Sequence, residues 1–158
     1  MNKIKVLIAD DQEILLQNVI RELKQFNEFE VIGTANDGID EYDKINNLKP
    51  DMIFTDNQMP NMTGIQVIEK IFEDTTIESK PYFAMITSDA YSMELRDKSK
   101  KYKFSLIPKP ISKEGIQYAL DEYLYFIENK DNNIEKQKED NISANKEKKE
   151  FFSRLFKK

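Results

Sequence analysis

No cysteine and no histidine occur among the 158 residues. The first absence removes any disulfide framework and any thiolate metal site. The second removes zinc sites of the usual kinds and imidazole acid–base catalysis. Chemistry in this chain therefore falls to carboxylates, hydroxyls and lysine. There is also no apolar run approaching the length of a membrane span. The opening "MNKIKVLIAD" carries an apolar stretch too short for a secretory signal and reaches acidic residues at once. No G-x-x-x-x-G-K-[ST] or G-x-G-x-x-G occurs, so nucleotide and dinucleotide cradles find no support. The expectation is a cytoplasmic protein of one ordinary domain plus a tail, long enough to bury a real core.

What is present is unevenly charged. Residues 1–128 hold 15 Lys and Arg against 23 Asp and Glu, a net of −8, whereas residues 129–158 hold 9 against 6, a net of +3. An acidic body argues against nucleic-acid binding by that part.

Short apolar runs recur at "IKVLIA" (4–9), "FEVIGTA" (29–35), "DMIFT" (51–55), "YFAMIT" (82–87) and "FSLI" (104–107). They are continuous rather than alternating, as strands buried on both faces are. Helical spacing fills the intervals. Ile14, Leu15, Val19, Ile20, Leu23 and Phe26 form a stripe in 13–26, and Ile39, Tyr42, Ile45 and Leu48 form another in 38–48. Further helices are predicted over 64–73, more weakly over 89–100, and strongly over 112–128. Five β-α units imply a parallel sheet with right-handed crossovers and helices on both faces. After Glu128 the composition turns polar and charged, which reads as a flexible linker over 129–145.

Polar residues gather where the strands end: Asp10 and Asp11 after the first, Asp56 at the third, Thr87 at the fourth, Lys109 at the fifth. The carboxyl edge of an open α/β sheet is where such folds bind ligands. Three converging carboxylates repel unless a cation joins them, and a hard oxygen-seeking ion such as Mg²⁺ with one ammonium suits them. A carboxylate can also act as a nucleophile and form an aspartyl phosphate. Asp10-Asp11 has an alternative reading as the cap of the helix starting at Glu13.

"ADD" at 9–11, "TDNQMP" at 55–60, "ITS" at 86–88 and "PKP" at 108–110, in this order and spacing, resemble the signature of receiver domains of two-component response regulators. The resemblance spans residues 3–127. It implies an α/β, flavodoxin-like doubly wound sheet of strand order 2-1-3-4-5, an order for which a chemotaxis receiver is a standard example. It also implies Asp56 as phospho-acceptor, Thr87 as hydrogen-bond partner of the phosphoryl group and Lys109 as its ion-pair partner. Mg²⁺ would be held by Asp11, Asp56 and the backbone carbonyl of Gln58, with Asp10 joining through water. The donor would be a sensor histidine kinase or phosphotransfer protein, and no external metabolite would be turned over. The family further implies a cis Lys109–Pro110 bond, and a role for Gln58 and Asp89 in tuning the phosphoryl lifetime.

Two positions depart from the family pattern. Leu106 stands where an aromatic residue usually lies three before the lysine, and Tyr102 stands where glycine is usual. The tail departs too. The thirty residues after Glu128 are too few and too polar for a helix-turn-helix domain. Within 146–158, Phe151, Phe152, Leu155 and Phe156 share a helical face among six cations and two anions. That pattern reads as a membrane-surface helix, a partner-docking peptide or a segment packing on its own domain. The organisation expected is a receiver over 1–128, a linker over 129–145 and a basic amphipathic segment over 146–158. Output would run through contact with another protein. The alternatives are a constitutive interaction module of receiver shape and a fragment of a transcriptional regulator.

Overall fold

The apolar runs pair into one sheet. In the computed structural model, which describes residues 2–155, the strands are β1 (Ile4–Ala9), β2 (Phe29–Ala35), β3 (Met52–Asp56), β4 (Tyr82–Thr87) and β5 (Ser105–Pro108). They lie in the order β2-β1-β3-β4-β5, and every neighbouring pair is parallel. This is the expected flavodoxin-like arrangement. Parallel neighbours need crossovers, supplied by α1 (Glu13–Leu23), α2 (Gly38–Leu48), α3 (Gly64–Glu73) and α4 (Met93–Tyr102), with α5 (Lys113–Leu155) after the last strand. The chain leaves β1 toward β2 on one side and enters β3 on the other, so a crevice opens beyond the carboxyl ends of β1 and β3.

The two central strands explain the continuous apolar runs. Val6 to Ala9 and all five residues of β3 are buried. Leu7 and Ile53 of these strands share a core with Val67, Ile71, Phe83 and Met85, and with Phe104 and Tyr102. Tyr102 stacks at a tilt on Phe72, with ring centroids 5.6 Å apart. The left-handed turn after α4 is taken instead by Lys103, at φ 54°. Pro108 ends β5, an edge strand, where a missing ladder donor costs nothing.

Helix starts follow side-chain caps. Asp37 accepts from the Asp40 amide, Ser92 from the Leu95 amide, and Thr63 with Gln66 forms a reciprocal capping box. The predicted stripes need correction in phase. On α1, Ile14 is 72% exposed while Leu16 is buried with Val19 and Leu23. On α2 the buried line runs through Gly38, Glu41 and Ile45, leaving Ile39 and Leu48 exposed. The reason is close approach: a Cβ on Gly38 would sit 1.9 Å from the Met62 carbonyl oxygen, so the contact line of α2 passes through its only glycine.

The chain divides into two compact units, Met1–Asp121 and Glu122–Lys158. In the second, residues 129–145 are helical, not the flexible linker expected from their polarity. No glycine or proline follows Gly115, and opposite charges stand four apart at Lys136 and Asp140 and at Lys146 and Glu150. Both favour helix without any apolar face. Phe151, Phe152 and Leu155 are exposed, with the two rings edge-to-face at 6.0 Å, while Phe156, Lys157 and Lys158 lie outside the described residues. The membrane-surface expectation gains no support from this helix, where Ile134 and Ile142 are isolated among charges. None of the described helices is long and apolar enough to cross a membrane.

Candidate functional site

Asp56 is the last residue of β3, and its buried carboxylate is the centre of the crevice. Lys109, just past β5, reaches it with Nζ 3.1 Å from Oδ2. The Gln58 amide donates to Oδ1 at 3.3 Å. Asp56 pairs in the ladder with Ile86, so Thr87 stands one residue further along the same edge. Thr87 is 1% exposed, and its Oγ1 accepts from the Asp89 amide at 3.1 Å. Gln58 and Asp89 thus touch the site through their backbones, while their side chains are exposed.

Asp10 and Asp11 follow β1. They do not cap α1: the cap residue is Gln12, with no side-chain capping bond. Asp10 Oδ1 instead accepts the Gln12 amide at 2.9 Å. Burial, with the charge of Asp56 as a lesser cause, holds the Asp10 carboxyl above its ordinary range despite that bond. Oxygens of Asp10, Asp11 and Asp56 all lie within 4.8 Å of one another. Opposite ligands of a Mg²⁺ ion stand about 4.2 Å apart, at bonds of about 2.1 Å each. The three carboxylates stand close enough to share one small hard cation after a small side-chain adjustment, and Lys109 alone leaves their formal charge uncompensated.

The loop after β3 is held by backbone approach. Pro60 precedes Asn61, which takes a left-handed φ of 69°, and a Cβ on Gly64 would fall 2.3 Å from the Asp56 carbonyl oxygen. The Lys109–Pro110 bond is cis, as the family pattern implies. Leu106, at the usual aromatic position, packs half-buried against the core that also holds Phe104. Ser105 points the other way and shares a 2.6 Å hydrogen bond with the Tyr82 hydroxyl. Beside the site a cavity of about 480 Å³ opens between α1 and the turn after β5, lined by Asp10, Leu15, Val19, Ile86, Lys109 and Pro110.

One residue behind Asp56, Glu41, escaped the sequence reading. Glu41 is 0% exposed, with Oε2 3.1 Å from the Thr55 hydroxyl and Oε1 without a hydrogen-bond partner. The only signal available was its place four residues before Ile45 on the buried line of α2. Burial pushes the Glu41 carboxyl from the ordinary 4.5 up to about 8. Between those values the folded chain keeps a proton that the unfolded chain has released. Its contribution to stability therefore falls as pH rises through the window 4.5 to about 8, by up to about 1.4 kcal/mol per pH unit. Urea melts of wild type and Glu41→Gln across pH 5 to 8 check this: the variant is expected to lose that downward slope.

The model of the response regulator receiver domain matches residues 6–121. The protein-glutamate methylesterase/protein-glutamine glutaminase of Lawsonia intracellularis is 39% identical over 70 residues, which is 44% of this chain and 20% of that protein. The transcriptional regulatory protein BtsR of Escherichia coli K12 is 26% identical over 118 residues, 74% of this chain and 46% of BtsR. The chain thus spans less than half the length of these relatives. Among solved structures, the signal receiver domain of NarL from Mycobacterium tuberculosis superposes with a TM-score of 0.69 at 22% identity, covering 78% of this chain and 98% of that one. The response regulator domain of Thermotoga maritima CheB gives 0.63 at 26% identity, covering 76% and 90%. Matched over most of its first unit and folded in the same strand order, the chain belongs to the response regulator receiver domain family.

Proposed function

We propose that this receiver is a cytoplasmic phosphoryl-accepting switch in which Asp56 is the nucleophile. The observation that carries the reading is the set of three carboxylates within 4.8 Å, with the Lys109 ammonium 3.1 Å from Asp56. A carboxylate oxygen of Asp56 attacks the phosphorus of the donor, the donor's bond to phosphorus breaks, and water later releases phosphate and restores the carboxylate. When bound, Mg²⁺ neutralises charge on the phosphoryl oxygens. Asp10, Asp11, Asp56 and the Gln58 carbonyl would hold it. Lys109 pairs with Asp56 before transfer and with the phosphoryl group after it, and the Thr87 hydroxyl donates to a phosphoryl oxygen. The donor in the cell is a histidine kinase or phosphotransfer protein, and the reaction is one of the chain upon itself. Incubation with acetyl phosphate and Mg²⁺ tests this by a gain of one phosphoryl group in the intact mass.

Output is proposed to pass through protein contact, with 1–128 as the receiver and 146–158 as a docking segment. A second reading, a piece of a transcriptional regulator, rests on the 46% coverage of BtsR. A DNA-binding assay on the product of the full reading frame separates the two.

Lifetime of the phosphoryl group is set by access of water to Asp56. Gln58 and Asp89 are tied by their amides to Asp56 and Thr87 and present exposed side chains beside them. Alanine at either position is expected to change the dephosphorylation rate several-fold, about 1 kcal/mol in barrier. Alanine at the exposed Glu73 or Asp97 is expected to leave it alone. Phosphate release under single-turnover conditions measures all four, and indistinguishable rates remove both residues from this role.

A further inference from the structure

Behind the acceptor, away from the crevice, the Thr55 hydroxyl is poised between two oxygens. Its Oγ1 lies 3.1 Å from Glu41 Oε2 and 3.1 Å from the backbone carbonyl of Asp56. A hydroxyl has one hydrogen, so it donates to only one of them, and its lone pairs remain free to accept. If Glu41 were a carboxylate, one shared hydrogen would be all that compensates a charge with no exposure and an unpartnered second oxygen. Such a buried charge is far costlier than a neutral carboxyl whose carbonyl oxygen alone is orphaned. Burial accordingly holds the proton on Glu41 up to about pH 8. The arrangement that leaves fewest groups unpaired is then directional: the Glu41 O–H donates to Thr55 Oγ1, and Thr55 donates to the Asp56 carbonyl.

We propose that Glu41 is a positioning residue for the acceptor, acting through Thr55 to polarise and fix the carbonyl at which β3 passes into the loop carrying Gln58. The surroundings of that carbonyl support a positioning role. Gly64 is packed so closely on it that a Cβ would fall 2.3 Å away, and the next amide but one, that of Gln58, donates to the Asp56 side chain. The same helix is anchored to the far end of the loop, where the Gly38 amide lies 3.4 Å from the Pro60 carbonyl and Asn61 Nδ2 lies 3.3 Å from Asp37 Oδ2. Donation into Thr55 strengthens the bond that Thr55 makes onward, because linked hydrogen bonds polarise one another. The consequence for phosphoryl transfer rests on Asp56 being the acceptor; the hydrogen-bond chain does not.

The test uses the full chain, labelled with ¹³C and ¹⁵N, and follows the Asp56 carbonyl ¹³C resonance in Glu41→Gln, Glu41→Leu and Thr55→Val, with folding checked by amide dispersion. Glutamine keeps a donor toward Thr55, leucine keeps only the volume, and valine removes the relay. The expected order of carbonyl hydrogen bonding is wild type equal to Glu41→Gln, then Glu41→Leu, then Thr55→Val, each step moving the resonance upfield. In parallel, Glu41→Leu is expected to slow phosphorylation by acetyl phosphate by about two- to fivefold, with Glu41→Gln at the wild-type rate. A Glu41→Leu resonance identical to wild type, a Glu41→Gln resonance displaced as far as that of leucine, or no shift in Thr55→Val overturns the proposal. A wild-type chain that gains no phosphoryl group instead overturns the acceptor role of Asp56, while the carbonyl series still decides the role of Glu41.

Discussion

Asp56→Asn is expected to abolish the phosphoryl gain proposed for the wild-type chain with acetyl phosphate and Mg²⁺. The amide nitrogen and oxygen of asparagine cannot form the acyl phosphate, and no other carboxylate takes the same place. Asp10 Oδ1 is engaged by the Gln12 amide, and Asp11 is exposed, whereas the Lys109 ammonium sits on Asp56. The side chains match in size and the Gln58 amide can still donate to the amide oxygen, so the fold is expected to persist. EDTA is expected to have the same effect on the wild type, because three carboxylates opposed by one lysine cannot also accommodate an incoming phosphoryl dianion. Intact-mass spectrometry reads both arms. A wild type that stays at its own mass, though folded and supplied with Mg²⁺, removes the acceptor assignment. A gain that survives in Asp56→Asn moves it to another residue.

The sheet was legible because its strands carry both the local and the global signal. Runs such as "YFAMIT" are apolar on both faces because they lie between helix layers, and three of the five predicted strands keep their ends unchanged. The other two, predicted at 51–55 and 104–107, are each one residue later, which puts Asp56 inside the ladder, paired with Ile86. The site was legible for a related reason: parallel topology brings the ends of strands distant in sequence to one edge, so Asp10, Asp56, Thr87 and Lys109 needed only their strand-end positions. Helix phase was harder. Apolar residues alone placed Ile14 and Ile39 in the core, but close approach at Gly38 and the packing of Leu16 decided otherwise. Glu41 was invisible because a carboxylate on a buried line contradicts the pattern on which such reading depends. The helix over 129–145 was missed for the opposite reason: it has helix-forming residues but no apolar face to announce them.

Lys109→Ala is expected to separate binding from response. In the unphosphorylated chain the Lys109 side chain, 25% exposed, pairs with an Asp56 that is 4% exposed. Removing one partner of a fully buried pair costs about 3–5 kcal/mol. Here water reaches the lysine and a metal can compensate Asp56, so about 1–3 kcal/mol in EDTA is expected, shrinking when Mg²⁺ is added. With less positive charge beside Asp10, Asp11 and Asp56, affinity for Mg²⁺ is expected to hold or to rise. On the proposed mechanism, what is lost is the group that leaves Asp56 for the phosphoryl oxygens, the movement that would carry a local charge change to β5 and the turn at Pro110. Phosphorylated Lys109→Ala should therefore show amide shift changes confined to the crevice, where the wild type is expected to show them extending along β5. Two-dimensional NMR before and after phosphorylation makes the comparison, with urea melts in EDTA and in Mg²⁺ to follow stability. Long-range changes of equal extent in both proteins would take Lys109 out of the switching step and leave it only a counter-ion to Asp56.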